Sequence, residues 1–145
     1  MRQALCIHRV REFCILKIAE NIARAAHHDQ YRKNGDPYIN HVEKVVSFVE
    51  DNIEVQVVAW LHDVLEDSEI TSQDLCEKGI PAELVRVVET LSKKREQSYS
   101  DYIQSVCSSE IAVKVKKADL IANMTENPGN RQIVRFSKAL IVLCK

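Results

Sequence analysis

A chain of 145 residues is the size of one ordinary domain, and its 46% hydrophobic content can supply a single core without staples. Twenty basic residues against 21 acidic ones leave a formal net charge of −1, which excludes the strong positive field that would hold the chain on nucleic acid or an acidic membrane surface. With only three glycines and three prolines, strand and turn punctuation is scarce, so an all-α fold in one domain over residues 1–145 is expected.

The opening stretch, MRQALCIHRVRE, breaks its apolar residues with Arg2, His8, Arg9 and Arg11 and so lacks the continuous apolar region of a secretory signal. Nowhere do roughly 18 apolar residues run together, the length a membrane span needs. The five cysteines, Cys6, Cys14, Cys76, Cys107 and Cys144, form no C-x-x-C pair and read as reduced thiols in the core of a cytoplasmic protein.

Over residues 10–27, Ile15, Ile18, Ala19, Ile22, Ala23 and Ala26 recur at helical spacing. Asn34, Gly35, Asp36 and Pro37 then form a turn cluster in a loop that carries Arg32 and Lys33. A second helix starts near Pro37, with His41 in its opening turns and Ile39, Val42, Val45, Val46 and Val49 inward. Residues 54–65, EVQVVAWLHDVL, are apolar on nearly every side, as a central helix enclosed by its neighbours would be. Thr71 opens a short capped helix toward Lys78, closed by Gly79, and further helices begin at Pro81, at Ser98 or Ser100, and at Glu110. Asn127, Pro128 and Gly129 precede a last helix, giving a compact bundle of about eight helices with no internal repeat.

The chemistry-bearing feature is the central helix, where His62 and Asp63 interrupt an otherwise apolar run. An ionised carboxylate buried without a partner costs several kcal/mol, so Asp63 must be paired, hydrogen-bonded or bound to a cation. Glu66 and Asp67 follow one turn later on neighbouring faces, and like charges so close raise one another's pKa unless a cation sits among them. His41 and Asp119 lie in other core helices and could complete the set. An isolated core histidine is ordinarily a hydrogen-bonded packing residue; the adjoining acids are what favour a metal. Two histidines and two carboxylates suit manganese, iron or magnesium with open positions better than closed tetrahedral zinc.

Three blocks carry a family resemblance: RKNGDPYINH (32–41), LHDVLEDS (61–68) and VKKADLIANM (115–124). In this order they resemble the HD hydrolase domain of the RelA/SpoT family, and LSKKREQSYSDYI is similar to a stretch of its small stand-alone members, so the resemblance spans about residues 10–143. It implies that His41, His62, Asp63 and Asp119 hold one divalent metal, most fittingly Mn2+, and that Glu66 and Asp67 assist a metal-activated water. It further implies that Arg32, Lys33 and Asn123 contact a nucleotide, and Arg131 and Arg135 could reach phosphate from the last helix. Tyr38 and Tyr102 stand near these residues as packing groups or hydrogen-bond donors.

The activity implied is removal of the 3′ pyrophosphate from guanosine 3′,5′-bis(diphosphate), (p)ppGpp, with hydrolysis alone expected because no synthetase domain follows. Ala122, where many members carry histidine, and Lys117, where leucine is usual, depart from the pattern without touching a metal ligand. They leave room for a broader nucleotide phosphohydrolase acting on nucleoside monophosphates or NADPH, or for a non-catalytic nucleotide-binding regulator. The expected partner is a small-molecule nucleotide, with neither nucleic acid nor membrane and with homo-oligomerisation left open.

Overall fold

A computed structural model describes residues 2–145, with side chains from residue 11 onward. Among the described residues there are nine helices in chain order: α1 (Arg2–Ala26), α2 (Tyr38–Phe48), α3 (Ile53–Leu61), α4 (Val64–Asp67), α5 (Ser72–Glu77), α6 (Ala82–Leu91), α7 (Tyr99–Val106), α8 (Glu110–Met124) and α9 (Asn130–Leu143). The only extended pairing among those residues is an isolated antiparallel bridge between Tyr31 and Pro37. No helix among them is long and apolar enough to cross a membrane.

The enclosed character read from residues 54–65 has a direct structural counterpart. Val55, Val57, Val58, Ala59, Trp60 and Leu61 are all buried, and α3 packs against α1, α2, α6 and α8. Helices α2 and α8 also pack against each other, so α2, α3 and α8 form a mutually touching trio. The start of α3 is fixed by Asn52, whose side chain accepts from the Val55 amide at 3.2 Å and satisfies one of the amides that a helix start leaves without a partner.

The central helix is not continuous. His62, in right-handed helical geometry, caps α3, and Asp63 adopts φ −107°, ψ −3° before α4 begins. This break adds one element to the expected count and carries no glycine or proline to announce it. The first helix also begins earlier than its apolar spacing indicates, at Arg2.

Sequence signals at other boundaries translate closely. Thr71 and Asp74 form a reciprocal capping box on α5, and Gly79 leaves that helix at φ +95°. Ser98 caps α7, and Pro37 and Pro81 precede α2 and α6. In the 31–37 loop the Arg32 amide bonds to the Asp36 carbonyl at 2.9 Å while Gly35 takes φ +88°, which closes a tight turn. The cysteines correct the core assignment: Cys14, Cys76, Cys107 and Cys144 are free and exposed. Cys6 lies outside the described side chains.

Replacing Asn52 with alanine removes the cap of the helix that ends at His62. Urea denaturation should show a loss of about 1 kcal/mol, whereas an unchanged midpoint would mean that the cap contributes nothing.

Candidate metal centre

The helix trio brings the ligand candidates together. His41, on α2, is 2% exposed; His62, at the end of α3, is 3% exposed; Asp119, in the middle of α8, is 5% exposed. One ligand atom from each of His41, His62 and Asp63 lies within 4.8 Å of the others. Asp119 Oδ1 is 3.1 Å from His41 Nε2 and 3.9 Å from His62 Nε2, which places the second carboxylate beside both imidazoles.

The orientation of His62 is informative. Its Nδ1 lies 2.8 Å from the Ala59 carbonyl, which can only accept, so Nδ1 carries a hydrogen and Nε2 faces the cluster. Nε2 is 2.9 Å from Asp63 Oδ2, yet it is buried with no aligned hydrogen-bond partner. Two atoms that close but not aligned for a hydrogen bond stand side by side, as co-ligands of one cation do. The donor set of two imidazole nitrogens and two carboxylates therefore fits a divalent ion, with the backbone carbonyl fixing ring orientation behind the ligand.

Electrostatics say the same. Burial pushes His62 toward its neutral form, but Asp63 and then Asp119 outweigh it and raise the imidazole to about 9. Burial likewise opposes ionisation of Asp63, and the charge of His62 beside it holds that carboxyl well below its ordinary range. For Asp119 the same burial is overcome by Lys116 first, then by His41 and His62. In the absence of a metal, protonated neighbours thus supply the positive charge that a divalent ion would bring.

Residues around the four donors hold them in place. Tyr38, which the sequence reading left at the margin, donates its hydroxyl to Asp63 Oδ2 at 2.6 Å. Lys116 Nζ sits 2.8 Å from Asp119 Oδ2, and Asn123 Nδ2 donates to Asp119 Oδ1 at 2.7 Å. Lys116 remains charged despite its burial because Asp119 faces it. Lys116 and Glu126 escaped sequence reasoning, since single charges on an amphipathic helix or just past its end look like a solvated surface. His27, buried at 1% and with its ring centroid 5.0 Å from that of Tyr38, was also not singled out.

Glu66 and Asp67 are exposed and follow Asp63 on α4. Glu66 Oε2 accepts from the Lys93 amide at 2.9 Å, and Gln30 Nε2 donates to the Asp67 carbonyl at 2.6 Å. Both carboxyls are raised above their ordinary values, chiefly by desolvation and further by the charge of Asp63. The despite-the-break register of α3 and α4 survives locally, because the Asp67 amide still bonds to the Asp63 carbonyl at 2.9 Å.

A cavity of about 990 Å³ opens next to this cluster, with Arg32, Lys33, Tyr38, Lys44, Asn123 and Glu126 among its walls. Arg32 donates to Asn123 Oδ1 at 3.0 Å, which joins the basic loop to the helix that carries Asp119. Of the two arginines on α9, neither belongs to the lining of this cavity, although Gln132 and Phe136 of the same helix do. Arg135 instead stacks on Tyr99, 5.0 Å from the ring centre, and on Phe136 at 5.4 Å. Ala122 is fully buried.

A lone histidine, a His-Asp pair and a further aspartate converging from separate elements of an all-α domain define an HD-type domain. The chain belongs, within that class, to the RelA/SpoT family. No protein-family model matches it, but it is 33% identical over 123 residues to the bifunctional (p)ppGpp synthase/hydrolase SpoT of Escherichia coli, covering 75% of this chain and 17% of that protein. It is 39% identical over 75 residues to a guanosine-3′,5′-bis(diphosphate) 3′-pyrophosphohydrolase of Haemophilus influenzae, covering 50% of this chain and 11% of the relative. The chain thus spans less than a fifth of the length of either. A solved structure of a metazoan ortholog of SpoT, described as hydrolysing ppGpp, superimposes with a TM-score of 0.78 over 89% of this chain and 85% of that one, at 21% identity. That likeness establishes the all-helical fold.

Lys116→Met should cost the metal-free protein about 3 kcal/mol, because it leaves the Asp119 carboxylate short of a buried counter-charge. Chemical denaturation in the presence of chelator measures this, and a loss below the error of the method would show that Lys116 is dispensable to the cluster.

Proposed function

We propose that this chain is a metal-dependent hydrolase that removes the 3′ pyrophosphate of (p)ppGpp, using Mn2+ held by His41, His62, Asp63 and Asp119. What carries the reading is the convergence of those four side chains around the unpartnered Nε2 of His62. The family relationship and the activities for which the relatives are named support the choice of substrate.

A divalent ion in this set would acidify a water and neutralise charge developing on phosphoryl oxygens. The work of the chain itself is to orient and to move protons. Glu66 and Asp67, whose carboxyls are both raised toward neutrality, are poised to orient the attacking water and take its proton. Tyr38 holds Asp63 through its hydroxyl, so that carboxylate keeps one direction. Water adds to the 3′-linked phosphorus, the bond to the 3′ oxygen breaks, and that oxygen takes a proton; ppGpp gives GDP, pppGpp gives GTP, and pyrophosphate leaves.

Arg32 and Lys33 present a planar fork and a point charge to a polyanionic nucleotide, and Asn123 stands beside Arg32. Arg131 and Arg135 would reach substrate phosphate only from outside the described cavity walls. Residues 1–145 would act as one domain in the cytoplasm, a compartment that keeps exposed thiols such as Cys14 and Cys76 reduced. The buried Ala122 beside Asn123 favours one second reading, a site of altered nucleotide preference.

Purified protein with Mn2+ should release pyrophosphate from ppGpp, and Asp63→Ala or Glu66→Gln should lower kcat by about 100-fold or more. Phosphate release from nucleoside monophosphates or NADPH with ppGpp untouched would select the altered-preference reading. Tight ppGpp binding without turnover in any divalent metal would make the chain a nucleotide-binding regulator.

A further inference from the structure

Glu126 lies just beyond α8, whose C-cap is Thr125, and its amide bonds to the Asn123 carbonyl at 3.2 Å. Its carboxylate is mostly buried, at 13% side-chain exposure, and it faces three nitrogen groups from two other parts of the chain. Oε2 lies 2.6 Å from the Arg32 guanidinium; Oε1 lies 3.3 Å from His41 Nδ1 and 3.4 Å from Lys44 Nζ.

His41 therefore has a carboxylate on each side of its ring. Nε2 faces Asp119 inside the metal cluster at 3.1 Å, and Nδ1 faces Glu126 outside it. An imidazole can give Nε2 to a cation only if Nδ1 carries the hydrogen, and a carboxylate at Nδ1 selects that arrangement, aims the ring and makes Nε2 a stronger donor. The same carboxylate holds Arg32, a wall of the cavity, in place. Of the two acids against His41, Glu126 is the one that also contacts Arg32.

We propose that Glu126 is a positioning residue that acts through His41: it fixes the ring for metal ligation and ties that ring to the Arg32 side of the cavity. The proposal rests on the metal-site reading above. In Glu126→Gln the side chain keeps its shape but has one acceptor oxygen. Arg32 and Lys44 would draw that oxygen toward themselves and turn the amide NH2 toward His41, where it opposes a hydrogen on Nδ1.

The test uses the full chain, titrated calorimetrically with Mn2+, and ¹⁵N-histidine spectra of the Mg2+-loaded protein. Wild type should show a hydrogen-bonded, exchange-protected Nδ1–H on His41. Glu126→Gln should lose that signal and bind Mn2+ about 10- to 100-fold more weakly. Equal Mn2+ affinity of wild type and variant, with the same His41 spectrum, overturns the role of Glu126 while leaving the metal site standing. A wild type that takes up no divalent ion sinks the metal-site reading and the role of Glu126 with it. Should Glu126→Gln fail to fold, the wild-type spectrum decides, because a His41 Nδ1 without a protected hydrogen is incompatible with the proposal.

Discussion

Two carboxylates sit inside the bundle, Asp119 buried and Asp63 mostly so, and the arrangement of the site follows from that constraint. Asp63 and Asp119 are both inside the bundle, and burial alone would drive each toward its neutral form. Each stays ionised because a positive or donating group is held against it: His62 and Tyr38 for Asp63, Lys116, Asn123 and His41 for Asp119. The mutual packing of α2, α3 and α8 is what brings these groups within reach, so helix packing and site electrostatics are one problem.

The break after α3 solves a geometric part of it. In a regular helix, neighbouring side chains project about 100° apart, which directs His62 and Asp63 away from each other. Ending α3 at Leu61 and restarting at Val64 brings the imidazole nitrogen and the carboxylate oxygen to 2.9 Å. The segment keeps enough helical register for Glu66 and Asp67 to follow Asp63 on α4. Four ionisable groups in six residues are thereby divided between an inner pair and an outer, exposed pair.

What the sequence made legible was contrast. His62 and Asp63 stand out because nearly everything beside them in α3 is apolar, whereas His41 and Asp119 lie in helices that also carry Glu43 and Lys44 or Lys116 and Lys117 and gain their meaning from the family motif. Capping residues such as Thr71 and Ser98 were readable because each bonds within its own first turn. Lys116 and Glu126 were hidden because a charge at a half-buried helical position looks no different from one in water until a distant partner is known; the partners of Glu126 are 82 to 94 residues away in the chain, counted from Lys44 and Arg32. The cysteines were misjudged for a related reason: composition ranks Cys as a core residue, whereas the side of the helix on which each one falls is decided by its neighbours.

The basic wall of the cavity carries a further consequence of buried charge. Arg32 is not a free cation awaiting an anion, since Glu126 and Asn123 already occupy its guanidinium. An incoming phosphate has to compete with a carboxylate that is held by Lys44 and His41 as well, so a weakly charged ligand gains little there. A polyanion can meet Arg32, Lys33 and Lys44 together and offset the loss of the internal pair. Under the proposed function, discrimination in favour of highly charged ligands would follow from an internal competitor, as well as from the number of basic residues around the opening.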